Sequence, residues 1–285
     1  MIQSMTGYGK SVLQLPTKKI SIELKSLNSK SLDLNARMPS MYRAKELGIR
    51  KLIANHLVRG KVDFSLFVEI TGEDTSSKIN QTVVKEYIKQ LKEVVDGDAT
   101  ELLKMAIRMP DAITTERDDI DEDEWTLIST EINKAIANIV EYRKDEGATL
   151  NQDFTERVAT LKRLLEEVIA IDPERIDGVR ARLEKGVSDL KEKVDENRFE
   201  QELVYYIEKF DITEEKVRLD NHLEYFIKTL NSDDSNGKKL GFISQEMGRE
   251  INTIGSKSNY APMQKLVVQM KDELEKIKEQ LLNVL

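Results

Sequence analysis

The chain has 285 residues, enough for a full hydrophobic core, and this length favours one large or two ordinary domains. It contains no cysteine, which excludes disulfides, thiolate metal sites and cysteine nucleophiles and is compatible with a reducing compartment. A net charge of −8 argues, taken alone, against a polyanionic partner.

The charge is distributed unevenly along the chain. Residues 1–65 hold 12 Lys+Arg and 4 Asp+Glu, a net of +8, and residues 238–285 carry a net of +2, so the middle carries −18. This asymmetry indicates an anion-facing surface built from the two chain ends, or simply solvated helices that differ in charge. The opening segment lacks the features of a secretory signal, and no apolar run of about 18 residues occurs. A soluble, cytoplasmic protein without a membrane partner is expected.

The N-terminal segment shows the two-residue period of half-buried strands at 20–25 and 62–70. An earlier strand at about 4–15 precedes Pro16-Thr17-Lys18, where a hairpin is expected. Between the strands, the spacing of apolar residues over 42–57 predicts a helix. The segment therefore predicts a small unit of order β-β-α-β.

From about Asn80 onward the apolar period becomes helical. A run over 122–170 is interrupted only by Gly147, and Asp172-Pro173 is expected to end it, because the residue before proline avoids the helical conformation. Further helices are predicted at about 173–194, 198–210, 212–230 and 240–254 and after Pro262. The fold class is α+β, with a small N-terminal α+β unit followed by a predominantly α-helical middle and C-terminal region.

The predicted organisation has three parts. Residues 1–155 form an N-terminal region whose α+β unit covers about 1–75, residues 156–210 form a helical arm or linker, and residues 211–285 form a C-terminal helical domain, which holds the candidate catalytic residues described below. Asp211 and Glu214 have the spacing of a capping box, in which Asp211 caps the helix and Glu214 reaches back.

Only two histidines, His56 and His222, are present. On the predicted helix, Glu215, Arg218 and His222 are spaced at i, i+3 and i+7 and therefore line one face. An acid, a guanidinium and an imidazole together could bind phosphate and transfer protons. The alternative is a core histidine beside apolar neighbours; His56 is interpreted as structural.

Two carboxylates, Glu246 and Glu250, stand one turn apart on the next helix. Such a pair can share a hard divalent cation, with water and phosphate oxygens as further ligands. An ordinary surface network with Arg249 would look the same. The segment Gly255-Ser256-Lys257-Ser258-Asn259 is expected to form a polar loop beyond the helix end, where a phosphate could bind. Walker, dinucleotide-binding, nucleophile-elbow and zinc-protease motifs are absent from the sequence, which disfavours nucleotide-driven motors and dehydrogenases.

Several motifs resemble the YicC family of bacterial proteins, and the resemblance extends over essentially the whole chain. It begins at Met5-Thr6-Gly7-Tyr8-Gly9, continues through Arg59-Gly60-Lys61 and Asp211-Ile212-Thr213-Glu214-Glu215, and is most specific in Arg249-Glu250-Ile251-Asn252-Thr253-Ile254-Gly255-Ser256-Lys257. Gly241 and Gly248 depart from the family pattern, which commonly has aspartate and asparagine there. If that aspartate is a metal ligand in relatives, this chain must use another oxygen or bind the metal more weakly.

The resemblance implies divalent-metal-dependent cleavage of RNA, with Mn²⁺ or Mg²⁺ as cofactor, by a ring-like homo-oligomer, a hexamer. Under this hypothesis Glu246 and Glu250, with Glu214 or Glu215, hold the metal, and His222 and Arg249 complete the catalytic set. The RNA-binding candidates are Lys30, Arg37, Arg59, Lys61, Arg218, Asn252 and Lys257.

Two alternatives remain open from the sequence. One is a non-catalytic RNA-binding adaptor that presents RNA to another nuclease through basic residues of its N-terminal segment, namely Lys10, Lys25, Lys30, Arg37, Arg43, Arg50, Arg59 and Lys61. The other is a purely structural oligomer built on the acidic helices. Metal dependence separates the first hypothesis from both, and salt-sensitive RNA binding separates the adaptor from the structural oligomer.

Overall fold

The computed structural model describes residues 2–71, 78–114, 121–189, 196–232 and 236–285. The strands are β1 (Gly7–Gln14), β2 (Lys18–Leu27), β3 (Leu32–Arg37), β4 (Gly60–Ile70), β5 (Lys78–Ile79) and β6 (Ile113–Thr114). The helices are α1 (Glu46–His56), α2 (Gln81–Val94), α3 (Ala99–Ala106), α4 (Glu122–Asp189), α5 (Glu196–Lys209), α6 (Thr213–Leu230), α7 (Gly237–Lys257) and α8 (Ala261–Leu281). A 3₁₀ turn, Ser40–Lys45, leads into α1.

The chain divides into two compact units, which are described separately. The sheet unit comprises Tyr8–Lys25 and Leu32–Ile139, and the helical unit comprises Met1–Gly7, Ser26–Ser31 and Val140–Leu285. Helix α4 contributes to both. Across the described part of the chain, no helix combines the length and apolarity needed to cross a membrane.

The sheet unit is built on four strands in the order β1-β2-β4-β3. A short turn joins β1 to β2, where Leu15 N–H donates to the carbonyl of Lys18 at 2.8 Å, and this confirms the predicted hairpin. Strand β3 pairs in parallel with β4 in a register that sets Asp33 beside Lys61 and Arg37 beside Ser65.

Alternation along these strands sends one set of side chains into a core. Ile20, Ile22 and Leu24 of β2 are fully buried, as are Val62 and Phe64 of β4. Apolar residues of α1 and of the first part of α4 are buried in the same unit, among them Ile49, Ile53, Ile128, Ile132 and Ile139. The other sheet face is partly to fully exposed and carries apolar side chains, such as Val12 and Phe67, among its polar ones.

The helical unit packs α6, α7, α8 and the second part of α4 around one apolar core. Each helix presents an apolar stripe of three- and four-residue period, as in Ile243, Met247, Ile251 and Ile254 of α7. The stripe of α8 begins at Met263 and ends near Leu281, also buried. Its assignment to core or subunit interface rather than to a ligand site is consistent with this burial.

The α+β class is confirmed, but the predicted order β-β-α-β was incomplete. Strand β3 was missed, although Leu32, Leu34 and Ala36 alternate with polar residues, because a six-residue strand gives a short signal. The small antiparallel pair β5–β6 was also missed, since two residues per strand give no period.

The prediction that the helix ends at Asp172-Pro173 was wrong, because α4 continues to Asp189. Pro173 has no backbone N–H, so the helix loses one hydrogen bond, the one that would end on the carbonyl of Ile169. Ile169 lies on a half-exposed part of the helix. The Asp172 carboxylate meanwhile accepts hydrogen bonds from Arg175 and Lys216 at 2.7 Å each, which holds this turn against α6. Tertiary contacts thus override the local preference.

Gly147 does not interrupt the helix either. A Cβ at this position would lie 2.3 Å from the carbonyl oxygen of Ile2. The glycine therefore permits a close approach between helix and N-terminal chain within the helical unit.

Candidate active site

Helices α6 and α7 form an antiparallel hairpin, and five of the candidate residues lie along the seam between them, namely Glu215, His222, Glu246, Glu250 and Lys257. The ammonium of Lys257, at the end of α7, donates to Glu215 Oε1 at 2.7 Å and to the backbone carbonyl of Asp211 at 2.9 Å. Both acceptors are at the start of α6. The two contacts fix the register in which the helices run past one another.

The predicted capping box at the start of α6 is not formed, because Ile212 occupies the N-cap position and makes no side-chain cap hydrogen bond. The carboxylate of Asp211 accepts from the Thr213 N–H at 3.1 Å and from its hydroxyl at 2.7 Å. These hydrogen bonds, with the positive charges of Lys216 and Lys257, hold the pKa of Asp211 below its ordinary value. Glu214, however, does not reach back as a capping box requires; it pairs with Arg218 on the exposed side of the helix.

The predicted phosphate loop, Gly255-Ser256-Lys257-Ser258-Asn259, is wrong for its first three residues, because α7 continues to Lys257 and only Ser258 and Asn259 lie beyond the helix. A Cβ on Gly255 would lie 2.9 Å from Val267 Cγ1, so the glycine serves close packing of α7 against α8. Backbone amides within a helix are used by the helix itself and are not free to hold a phosphate. The sequence suggested that Gly255 ends the helix, whereas the structure shows that it allows close packing against α8.

The register of the hairpin brings His222 level with the two glutamates. Because the helices are antiparallel, equal numbers of residues counted from a contact pair lead to the same level along the seam. His222 is seven residues after Glu215 and eleven after Asp211. Seven and eleven residues before Lys257, which contacts both, lie Glu250 and Glu246, so these two glutamates and His222 lie within about one helical turn of one another. Since seven residues are nearly two turns, His222 faces α7 as Glu215 does, and Glu250 faces α6 as Lys257 does.

The two glutamates differ in their surroundings. Glu246 is partly buried, and Arg249 lies 2.9 Å from its Oε1 and donates to its Oε2 at 3.2 Å. Glu250 is 8% exposed and has no hydrogen-bond or ion-pair partner among the described residues. His222 is half-buried and shows no hydrogen-bond partner within the described part of the chain. In the part of the chain that the structure describes, the buried carboxylate oxygens of this hairpin that accept no hydrogen bond are Glu246 Oε1 and Glu215 Oε2, whereas the oxygens of Glu250 are not fully enclosed.

Glu215 occupies a different part of the seam. It is 6% exposed, its Oε1 is held by Lys257, and its Oε2 has no partner among the described residues. Its level lies seven residues, about 10 Å, along the seam from that of Glu250, which is too far for one cation to be shared between them. Glu214 is committed to Arg218 at the exposed edge of α6.

In the described ranges, no three His, Cys, Asp or Glu side chains come together as a metal site by themselves. Glu246 and Glu250 remain as two carboxylates one turn apart. Mg²⁺ and similar cations are commonly held by one or two carboxylates, while water and substrate phosphates complete the coordination. The donor set therefore fits a cation that binds together with a phosphate-bearing substrate.

The two glycines that depart from the family pattern lie away from the seam. Gly241 is nine residues, two and a half turns, from Glu250 and therefore on the opposite side of α7. A Cβ on Gly248 would lie 3.3 Å from Leu274 Cδ2 of α8. Neither position borders the acidic pair, so a side chain at 241 would not replace a ligand of that pair.

Asn252 also lies on the α8 side of α7. It borders a cavity of about 210 Å³ whose other polar lining comes from Lys271, Glu275 and Lys278. Arg218, by contrast, stands four residues before His222 on the exposed edge of α6, beside the seam.

The N-terminal RNA-binding candidates lie apart from this hairpin in the chain. In the sheet unit, Arg37 and Lys61 are exposed on β3 and β4, where Lys61 is paired in register with Asp33, and Arg59 is half-buried. Lys30, in the helical unit, is exposed. Two other basic residues are already engaged, since Lys10 pairs with Glu23 at 2.9 Å and Arg50 with Glu46 at 2.8 Å.

Sequence reasoning missed three residues beside the seam. Phe242 of α7 is 63% exposed, and Tyr225 of α6 is also exposed, with the ammonium of Lys239 lying 4.9 Å from its ring centroid. Phe242 could have been noticed, because it lies outside the apolar stripe of its helix.

The fold and the seam define a two-part α+β protein with an acidic pair and a histidine between two C-terminal helices. Residues 2–152 match the family model described as the endoribonuclease YicC-like N-terminal region, and residues 168–285 match the endoribonuclease YicC-like C-terminal model. A protein of Clostridioides difficile named probable endoribonuclease YicC is 34% identical over 293 residues, and one of the same name from Haemophilus influenzae is 26% identical over 287 residues. Both comparisons cover 100% of each chain. The chain belongs to the YicC-like endoribonuclease family.

Proposed function

We propose that the protein is an endoribonuclease that cleaves RNA phosphodiester bonds with the help of Mn²⁺ or Mg²⁺. The names of its full-length relatives support the reaction. One observation in this chain supports the location: Glu246 and Glu250 lie one turn apart at the level of His222, Glu246 Oε1 is buried without a hydrogen bond, and Glu250 is 8% exposed with no cationic partner among the described residues. Such a carboxylate gains stability when a cation binds, and a histidine beside it can move protons at the reacting phosphate.

Glu246 and Glu250 would hold the cation. Arg249 is 75% exposed in its side chain, so it can leave Glu246 when the cation binds and turn toward the RNA. When bound, the cation supplies positive charge to the phosphate and lowers the pKa of a coordinated water. Glu214 and Glu215 keep the partners Arg218 and Lys257 in this proposal.

His222 takes a proton from the nucleophile or gives one to the leaving oxygen. Arg218 and Arg249 stand on the exposed edges of the two helices, where guanidinium groups can bind phosphate oxygens with two hydrogen bonds. Lys257 acts indirectly, since its ammonium holds α6 against α7 and so keeps His222 at the level of the acids.

Two nucleophiles are compatible with this arrangement, water and the 2'-hydroxyl of the RNA. The products distinguish them, because a 2',3'-cyclic phosphate arises only when the 2'-hydroxyl attacks. Substituting a 2'-deoxynucleotide at the cleaved position provides a second measure, since it abolishes cleavage only in that case.

The experiment is cleavage of a labelled, partly single-stranded RNA by the purified protein with Mn²⁺, Mg²⁺ or EDTA. Metal-dependent cutting supports the proposal. Salt-sensitive RNA binding without cutting under any metal would contradict it and favour the adaptor, in which exposed basic residues such as Arg37 and Lys61 hold the RNA backbone.

We extend the proposal to a cytoplasmic location and to a ring-like homo-oligomer, a hexamer, that encloses RNA. The lack of cysteine fits a reducing compartment. Mass photometry of the purified protein tests the assembly: a six-fold mass supports it, and a monomer at micromolar concentration would contradict it.

A further inference from the structure

Phe242 is the large apolar residue of α7 that is exposed to solvent. Leu240, Ile243, Met247, Ile251 and Ile254, the other large apolar residues of α7, are at most 2% exposed, whereas Phe242 is 63% exposed. Leaving a phenylalanine in water forgoes the stability that its burial would give. Other apolar side chains are also exposed, Phe67 at 57% among them, so the neighbours of Phe242 matter more than its exposure alone.

Its position connects it with the acidic pair. Phe242 precedes Glu246 by four residues and Arg249 by seven, so the three side chains follow one another along the same edge of α7. The helical rise sets the ring about 6 Å along the axis from Glu246 and about 12 Å from Glu250. These distances are within reach of neighbouring nucleotides of one strand.

Positive charge and a second aromatic ring lie at the same end of the hairpin. Lys239, one turn before Phe242, has its ammonium 4.9 Å from the ring centroid of exposed Tyr225. Lys238 and Lys239 are both exposed at the start of α7. Aromatic faces that alternate with cations are typical of surfaces that bind unpaired nucleic acid, because each base stacks on a ring while its phosphate meets a cation.

We propose that Phe242 stacks on a base of unpaired RNA next to the scissile phosphate and so positions that phosphate at Glu246 and Glu250. Lys239 binds the backbone of the same strand. A base inside a duplex has no free face for Phe242, and the enzyme therefore selects sites where the nucleotide beside the cut is unpaired. The inference rests on the proposed function.

The first test measures binding of a fluorescent, unstructured RNA in EDTA, where cleavage is blocked. Phe242→Ala and Phe242→Leu are expected to weaken binding about tenfold, because an aliphatic side chain has no π face on which a base can stack. Phe242→Trp is expected to retain wild-type affinity. Tyr142→Ala is the matched control, since it removes another exposed aromatic ring from a helix of the same unit.

The second test locates the stacked base. A series of RNAs carries one abasic nucleotide at successive positions around the cleavage site. One position should weaken wild-type binding as much as Phe242→Ala does, and the variant should lose nothing more there, as two changes to one contact do in a double-mutant cycle. Equal, additive losses at all positions would overturn the proposal.

Failure of the stacking proposal differs from failure of the nuclease assignment. If the wild type cleaves RNA and folded Phe242→Ala binds and cleaves equally well, stacking is wrong and the nuclease assignment stands. If no metal supports cleavage but Phe242→Ala alone loses RNA binding and Phe242→Trp restores it, the stacking contact stands and the nuclease assignment fails. A wild type that binds no unpaired RNA overturns the stacking proposal.

Discussion

Lys257 and Glu215 form an ion pair at 2.7 Å that joins the end of α7 to the start of α6, and the Glu215 side chain is only 8% exposed. The lysine also donates to the carbonyl of Asp211, two residues before the start of α6. One ammonium thus sets the register of the hairpin that carries the candidate site.

Removing Lys257 should lower the free energy of unfolding of the protein in the absence of substrate. In Lys257→Met the Glu215 carboxylate stays buried without its cation, and we expect a loss of about 2 kcal/mol, less than for a fully buried pair because Lys257 is one-third exposed. Urea denaturation measures it. The double variant Lys257→Met/Glu215→Gln should recover most of the loss; equal instability of both would show that the pair is not the cause.

Glu250→Gln should leave the protein folded and stable while removing a ligand of the proposed cation. The Glu250 side chain is 8% exposed and has no cationic partner among the described residues, so its neutral amide isostere should not lower the unfolding free energy in EDTA. Mn²⁺ should raise the melting temperature of the wild type and not that of the variant, because a ligand stabilises only a state that binds it. A variant that is less stable than wild type and still stabilised by Mn²⁺ would contradict both the burial argument and the metal site.

Acid should weaken the helical unit through Glu273. This carboxylate accepts hydrogen bonds from Lys276 at 2.6 Å and Arg157 at 3.0 Å, which hold its pKa below the ordinary value of 4.5. A carboxylate with a lowered folded-state pKa stabilises the fold above its ordinary pKa and loses that contribution as the pH falls through the folded-state pKa. Urea denaturation at pH 6 and at pH values below 4.5 should therefore show a smaller loss for Glu273→Gln than for wild type. Identical losses would exclude this contribution.

Two glycine-to-alanine changes in helix interiors should have opposite signs. At Gly241 nothing lies within 4 Å of the added Cβ, so Gly241→Ala should stabilise by up to about 1 kcal/mol through helix propensity. At Gly147 the Cβ would lie 2.3 Å from the Ile2 carbonyl, so Gly147→Ala should destabilise by about 1–3 kcal/mol. Thermal denaturation of the two variants provides the comparison.

The position of Gly241 also predicts its effect on function. Because it lies on the opposite side of α7 from Glu250, Gly241→Asp should leave Mn²⁺ affinity and RNA cleavage unchanged. A marked gain in Mn²⁺ affinity would show that residue 241 does reach the metal and that the assigned geometry is wrong.

Periodicity in the sequence predicted α6, α7 and α8, because each has a long apolar stripe that one core buries. It failed at Pro173 and Gly255, where contacts with residues distant in sequence decide the outcome. Arg175 and Lys216 hold Asp172, and Val267 packs against Gly255. Sequence patterns over a few residues reveal the proline and the glycine but not the distant residues that stabilise the helix at those positions.

The candidate site was predictable in part for the same reason. The i, i+4 spacing of Glu246 and Glu250 shows on one helix, and so does the spacing of Glu215 and His222. The placement of His222 opposite Glu250 depends on how α6 and α7 pack together, which residue spacing along one helix does not predict. The pair of Glu215 with Lys257, 42 residues apart, could not be read from spacing.

The most direct test of the account compares two double variants in a single-turnover RNA cleavage assay titrated with Mn²⁺. Glu246→Gln/Glu250→Gln removes the acidic pair of α7, while Glu275→Gln/Glu279→Gln removes an exposed pair of the same i, i+4 spacing from α8. We predict at least about a hundredfold loss of cleavage for the first, with a folded protein, and wild-type cleavage for the second. Cleavage that survives the loss of Glu246 and Glu250 would contradict the assignment of the active site to the α6–α7 seam.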